Sequence, residues 1–306
     1  MSTSNRDHSA ARPVAAIAGD ELKEAAGRLA QRILTKMYER QAGVPTFCDN
    51  SLLALIKQLR QLDPLLPWEE TAGRVGGAAG AQLAPALERL RDYLTRQRQG
   101  RFVEFAERQS ACAHGESEIG HYELIMSQGV GECMHWKGVP LFKSVFDFSI
   151  YTMLLWDLKP RTIIELGSGV GSSAVWMADL SKTFETPCHV YSVDLLPPDL
   201  RHEDVTFMEG DCRAPEEIFG EDFLRSAPRP WLFIEDAHVN VRGVLTHFHP
   251  HLAPGDYVVL EDSPGKREEI AAFLADFPGC YKVDTHYTDF FGRNATCSRD
   301  SIFVRV

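Results

Sequence analysis

Three hundred and six residues exceed one minimal module and fall short of two full-sized domains, so one domain of ordinary size with a smaller appendage is expected. Hydrophobic residues at 44% and charged residues at 25% are the usage of a folded globular chain and exclude a disordered one. Lys plus Arg at 32 against Asp plus Glu at 43 leaves a formal charge of −11, which argues against a nucleic-acid partner, because such binding rests on a basic footprint.

In chain order, the polar start MSTSNRDHSAARP lacks the apolar stretch of a secretory signal, and residues 1–15 carry no hydrophobic period, which reads as a disordered N-terminus. From Asp20 onward, Leu22, Ala25, Ala26, Leu29, Ile33 and Met37 recur at three- and four-residue intervals, the face of an amphipathic helix. Asn50 or Ser51 caps a second helix through Leu52, Leu53, Leu55, Ile56 and Leu59, ended by Pro64. A third covers Gln82 to Arg98, and Gly73 to Gly80 forms a loop or hinge. Residues 16–115 therefore read as an all-helical region, acting as a lid, a homodimer contact, or both. A helix from Ser144 to Trp156 follows.

Beyond it, near-continuously apolar runs alternate with helical stretches: Thr162–Leu166, His189–Val193, Val205–Met208, Trp231–Ile234 and Tyr257–Leu260. That is the pattern of parallel strands buried on both faces. Cys280–Tyr287 and Ser301–Val306 are separated only by a loop and read as an antiparallel pair closing the sheet. Residues 116–306 are thus expected to be a doubly wound, Rossmann-like α/β domain with an antiparallel last strand. No apolar run reaches the roughly 18 residues of a membrane span, so no membrane association and a cytoplasmic location are expected. The seven cysteines, at 48, 112, 133, 188, 212, 280 and 297, are odd in number and never spaced CxxC, which excludes a fully paired disulfide framework and reads as reduced thiols.

Glu165-Leu-Gly167-Ser168-Gly169-Val-Gly171 follows the first apolar run and opens a helix. Alternate glycines let a backbone turn sharply and approach a ligand closely. A dinucleotide fingerprint would need glycine at 172, where this chain has Ser172. An acid two residues before the first glycine instead resembles the loop of class I S-adenosylmethionine enzymes, which cradles the methionine and ribose of a cofactor without phosphate. Asp194, at the end of the second strand, stands where a carboxylate accepts both ribose hydroxyls. Gly210 and Asp211, at the end of the third, stand where the adenine amino group is read. Each acid taken alone is equally a strand-end turn residue.

The fourth and fifth strands end in Glu235-Asp236-Ala-His238 and Glu261-Asp262. In an open α/β sheet the ligand crevice lies beyond the carboxyl ends of the strands, so up to four carboxylates and an imidazole are expected near the cofactor. Like charges in one cleft repel unless neutralised, and Mg²⁺ is the simplest neutraliser. The alternative is that some of these acids cap helices or pair with Arg242 and Lys266. Because neighbouring strand residues face opposite ways, that alternative is expected to hold for at least one of the four.

With Trp136-Lys-Gly-Val-Pro, the glycine loop, Glu235-Asp-Ala-His238, Val259-Leu-Glu-Asp262 and the tail from Tyr287 to Thr296, the chain from about Trp136 to Val306 resembles the cephalosporin hydroxylase-like, or rhamnosyl O-methyltransferase, family of class I S-adenosylmethionine-dependent methyltransferases. The resemblance implies metal ligands at Glu235, Glu261 and Asp262 and a catalytic base at His238. It also implies a cofactor site of Glu165, Gly167, Ser168, Gly169, Gly171, Asp194, Gly210, Asp211 and Asp236. The function it implies is Mg²⁺-assisted O-methylation of a small natural product or sugar. The runner-up is a cyclase or lyase acting on the cofactor's own aminocarboxypropyl chain, for example to a small cyclic amino acid such as azetidine-2-carboxylate.

Three further features stay open in the sequence. His247, His249 and His251 either comb a metal, if the segment is a strand, or end the helix from Val241, and the latter is favoured because imidazoles suit the negative end of a helix dipole. Trp136, Lys137 and Lys143 either close over the methionine carboxylate or lie at the surface. Asp289–Thr296 is either a substrate lid or a hairpin loop.

Overall fold

The computed structural model describes residues 100–111 and 115–306. The polar start, the three helices read before residue 99 and the Gly73–Gly80 loop lie outside the described residues. The chain enters through β1 (Phe102–Val103), α1 (Phe105–Ala111), α2 (His121–Met126) and the hairpin β2 (Met134–Trp136) and β3 (Val139–Leu141). Next come α3 (Val145–Leu158), β4 (Thr162–Leu166), α4 (Ser172–Thr183), β5 (His189–Asp194) and β6 (Val205–Glu209). They are followed by α5 (Pro215–Ile218), α6 (Glu221–Ser226), β7 (Trp231–Glu235), α7 (Val241–Phe248) and β8 (Tyr257–Leu260). The chain ends with α8 (Arg267–Asp276), β9 (Tyr281–Asp284), α9 (Thr285–Thr288) and β10 (Ile302–Arg305).

Eight strands form one sheet in the order β1-β9-β10-β8-β7-β4-β5-β6. The five expected strands are its parallel core, β6-β5-β4-β7-β8. The chain winds outward from β4 to β6, then returns to place β7 on the other side of β4, so the winding reverses between β4 and β7. Alternation along the strands sends side chains into two separate cores. Ile164, Leu166, Phe233, Val258 and Leu260 pack with Val244, Leu245 and Phe248 of α7 and Phe273 of α8. Ile163, Leu232, Ile234 and Val259 pack with Tyr151, Leu154 and Leu155 of α3 and Trp176 and Met177 of α4. Both faces are covered, which is why these strands read as unbroken apolar runs.

The last strand is antiparallel, as expected, but β10 is inserted between β8 and β9 rather than forming the rim. Strand β9 stops at Asp284, whose carboxylate caps α9 by accepting the His286 N–H at 3.0 Å, so residues 285–288 are helix and not strand. The rim is β1, paired antiparallel with β9. Residues 100–111 therefore belong to the sheet domain, which begins at Gly100 and not at 116. Two residues of strand carry too little period to be seen in the sequence. Among the described residues no helix is long and apolar enough to cross a membrane.

The stretch between α9 and β10 is neither a free lid nor a simple hairpin loop. Asn294, Thr296, Ser298 and Asp300 are buried. Arg108 of α1 pins its two ends, donating Nη1–H and Nη2–H to Asp289 at 2.8 and 2.7 Å and Nε–H to Asp300 at 2.7 Å. Breaking a buried ion pair on one side leaves a desolvated charge uncompensated. Arg108→Ala is expected to cost about 3–5 kcal/mol of stability, measured as a fall in the denaturant midpoint. Arg108→Lys should recover only part, since one ammonium lacks the fork that reaches both acids. An unchanged midpoint in the alanine variant would show that other contacts hold this loop.

Candidate active site

The glycine loop sits where the winding reverses. Gly167 turns off β4 with φ +99°, and a Cβ there would stand 2.6 Å from the Asp236 carbonyl oxygen. Only glycine lets the end of β4 lie this close to the end of β7. The Asp236 N–H donates to the Leu166 carbonyl at 2.8 Å, and the Gly167 and Ser168 N–H groups donate to the Val193 carbonyl at 2.8 and 3.0 Å. Three strand ends are thereby locked together. Gly171, with φ +81°, is the N-cap of α4, where a Cβ would meet Pro198 at 2.7 Å.

Beside this loop opens a cleft of about 290 Å³. Gly167, Gly169, Asp194, Gly210, Asp211 and Asp236 line it together with the apolar Val193, Leu195, Ala237 and Val239. Asp194 ends β5 and accepts the Gly169 N–H at 3.0 Å and the Leu196 N–H at 3.2 Å, one on each carboxylate oxygen. Asp211 follows β6 and accepts the Arg213 N–H at 2.9 Å. Glu165, Ser168 and Gly171 stand behind the cleft instead of lining it. Glu165 is 1% exposed and accepts the hydroxyls of Ser173 at 2.6 Å and Ser192 at 2.5 Å, tying β4 to α4 and β5. Burial pushes its carboxyl up to about 7 against the pull of those two hydrogen bonds. Ser168 joins the same network through the Ser192 hydroxyl at 2.7 Å.

The four acids at the ends of β7 and β8 do not converge as a set. Glu235 continues the parity of Phe233 and faces the α7–α8 side; Glu261 continues that of Val259 and faces α3. Glu235 is 0% exposed and holds the Lys266 ammonium at 2.6 Å while accepting the His238 N–H at 2.8 Å. Glu261 is contacted by the Lys143 ammonium and accepts the Tyr151 hydroxyl at 2.5 Å. Lys143 also stands 3.7 Å from Asp236. Arg242 pairs elsewhere, with Asp276 at 2.6 Å.

What does converge is Asp236, His238 and Asp262, whose ligand atoms all lie within 4.8 Å of one another. His238 and Asp262 both take positive φ, 58° and 47°, turning their side chains back over the strand ends. His238 Nε2 lies 3.3 Å from Asp236 and 3.7 Å from Asp262. The hydrogen bond to Asp236 holds the imidazole above its ordinary value despite partial burial. Burial would raise Asp236, but Lys143 and then His238 outweigh it and hold the carboxyl below the ordinary value. Two carboxylates and an imidazole within that span are a donor set that suits a divalent cation, and the exposed faces of Asp262 and His238 leave room for water or substrate oxygens.

The remaining sequence readings resolve individually. The three histidines end α7 and its following turn: His249 stacks on Phe277 at 3.6 Å and bonds Tyr281 at 2.9 Å, so they are no metal comb. Trp136 and Lys137 both donate to Asp179 at 2.7 Å, on α4 and not over the cleft. Lys143 is buried in the acid cluster rather than at the surface. Tyr151 was not singled out in the sequence at all; its place in an apolar helix carries no signal of the carboxylate it meets.

The profile of the family Rhamnosyl O-methyltransferase/CmcI matches residues 128–274. The rhamnosyl O-methyltransferase of Mycobacterium leprae (strain TN) is 32% identical over 179 residues, spanning 51% of this chain and 77% of that protein. The chain belongs to this family. Its members of known structure include CmcI: an apo structure aligns with a TM-score of 0.50 and 28% identity over 57% of this chain and 77% of that one. A CmcI structure with Mg and SAM aligns with a TM-score of 0.49 and 29% identity over 56% of this chain and 76% of that one. The protein is thus a class I S-adenosylmethionine-dependent methyltransferase.

The Glu165 network makes one measurable difference to stability. A carboxyl raised from 4.5 to about 7 favours the folded state when protonated, so its contribution is full below pH 4.5 and is lost as pH rises to about 7. Glu165→Gln keeps the shape and removes that loss. Its unfolding free energy should exceed that of the parent by on the order of 3 kcal/mol at pH 8 and by nothing at pH 4.5. A pH-independent difference would show that Glu165 is ionised at little cost.

Proposed function

We propose that the protein moves the methyl group of S-adenosylmethionine to a hydroxyl oxygen of a sugar or other small natural product. The observation that carries the reading is the proximity of Asp236, which lines the glycine-loop cleft, to His238 and Asp262, with all three ligand atoms within 4.8 Å of one another. The nucleoside would occupy this cleft. Each Asp194 oxygen accepts one backbone N–H and retains acceptor capacity for a ribose hydroxyl, and Asp211, which lines the same cleft, would read the adenine amino group. Asp236 and Asp262, with His238 between them, would hold Mg²⁺, which when bound lowers the pKa of a coordinated acceptor hydroxyl.

The chain's own groups do the rest. With Nε2–H donated to Asp236, His238 keeps Nδ1 free to take the proton from the acceptor hydroxyl. Asp236 orients the ring and stabilises the imidazolium that results. Glycine loop and Asp194 fix the nucleoside, and methyl transfer needs the oxygen in line with the sulfonium, so this fixed geometry supplies much of the rate. The sugar class is favoured by the relatives, which are rhamnosyl O-methyltransferases. The cyclase or lyase reading gains no support: it requires neither an imidazole base nor the exposed acid pair.

The reading is tested by incubating the protein with S-adenosylmethionine, Mg²⁺ and a panel of glycosides. S-adenosylhomocysteine should accumulate only when an acceptor is present. Methylthioadenosine formed without acceptor would replace the reading with the cyclase or lyase. Asp194→Ala should weaken S-adenosylhomocysteine binding by calorimetry about 10- to 100-fold, the loss of one or two hydrogen bonds to a charged acceptor. His238→Ala should lower kcat about 10²- to 10⁴-fold and leave that binding intact. Because the hydrogen bond to Asp236 raises the imidazole, His238 followed by NMR in the protein without added divalent ion should titrate above 6.5. A midpoint below 6.5 would show that Asp236 does not hold the ring.

A further inference from the structure

Two buried lysines divide the carboxylates of the site. Lys266 belongs to the turn after β8 and is given over to Glu235, touching both its carboxylate and its backbone carbonyl at 2.6 and 3.3 Å. Lys143 is placed differently. It stands between β3 and α3, where Leu141 is buried on one side and Ser144 caps α3 on the other by accepting the Asp147 N–H at 3.0 Å. Its backbone is therefore anchored on both sides. Its side chain is 6% exposed and runs to the carboxyl ends of β7 and β8. There the ammonium contacts Glu261, stands 3.7 Å from Asp236 and lies 5.3 Å from the centre of the Tyr151 ring. Tyr151 closes the other side of Glu261.

We propose that Lys143 is the site's built-in cation, in competition with the divalent ion. While its ammonium holds Glu261 and screens Asp236, an arriving ion has only Asp236 and Asp262 to bind, and meets a fixed positive charge beside the first of them. Lys143 thus lowers cation affinity and keeps the acid cluster balanced when no ion is there. This rests on the metal placement given under Proposed function and adds what governs its occupancy. The physical ground is that an unpaired buried carboxylate is strongly unfavourable, so Glu261 must always have a cation, and the fold provides one covalently.

The test is Mn²⁺ binding to the full chain, followed by electron paramagnetic resonance of the free ion, in the parent, Lys143→Met, Lys143→Gln and Lys143→Arg. Both neutral variants should bind Mn²⁺ at least ten times more tightly than the parent, because Glu261 then has no other cation, and Arg should stay within about threefold of the parent. Melting temperature should respond in the same order: added Mg²⁺ should raise it markedly in the neutral variants and little in the parent. Should a neutral variant fail to fold alone, refolding in 10 mM Mg²⁺ is expected to rescue it, and failure with and without Mg²⁺ in both variants overturns the proposal. Equal Mn²⁺ affinity in parent and neutral variants also overturns it. Neither result touches the cofactor reading, which stands or falls on S-adenosylhomocysteine binding by the parent.

Discussion

Strands β4, β5, β6, β7 and β8 run in one direction and end on one edge, and the cleft and the strand-end acids hang from that edge. Hydrogen bonds across strand ends set the spacing: Asp236 N–H to Leu166, Gly167 N–H to Val193 and Glu261 N–H to Glu235 at 2.8, 2.8 and 3.0 Å. The reversal of winding between β4 and β7 leaves the crevice in which a ligand can sit without displacing a crossover helix. Gly167 is the tightest point of this arrangement, because any side chain there would push β4 and β7 apart and open both the cleft and the acid cluster at once.

Charge at that edge is organised in two layers. The inner layer is buried and internally neutral, Glu235 with Lys266 and Glu261 with Lys143. Burial pulls the Lys143 ammonium down, yet Glu261 and then Asp236 more than offset it and hold it well above its ordinary value. Burial pushes the Glu261 carboxyl up, with the same ammonium opposing. The outer layer, Asp236, His238 and Asp262, faces solvent and the cleft and holds the surplus negative charge. Under the proposed reading, that surplus meets a sulfonium nucleoside and a divalent ion, both positive. The inner layer keeps the outer one in place without entering the chemistry itself.

Much of the fold was legible because parallel strands buried on two faces leave a composition signal that needs no partner to be read. All five apolar runs became core strands, with ends moved by one residue at most. The additional rim strand β1 was not legible: two residues have no period, and their pairing with β9 joins positions about 180 residues apart. The helix at Thr285–Thr288 was likewise hidden, since β-branched and aromatic residues there suit a strand, and the Asp284 cap decides otherwise.

By itself the sequence determined the sheet, the glycine loop and the strand-end acids, and hence that the glycine loop and the acids share one edge. Which acids act together was decided only by tertiary structure. Glu235 and Glu261 end neighbouring strands yet face opposite sides of the sheet, because the side-chain period is two and each lies on the parity of a different core. Each then meets a lysine brought by an element that the motif does not contain, Lys266 from the turn before α8 and Lys143 from the approach to α3. Local pattern fixes the direction a side chain leaves its strand; what waits there is fixed by the packing of distant segments.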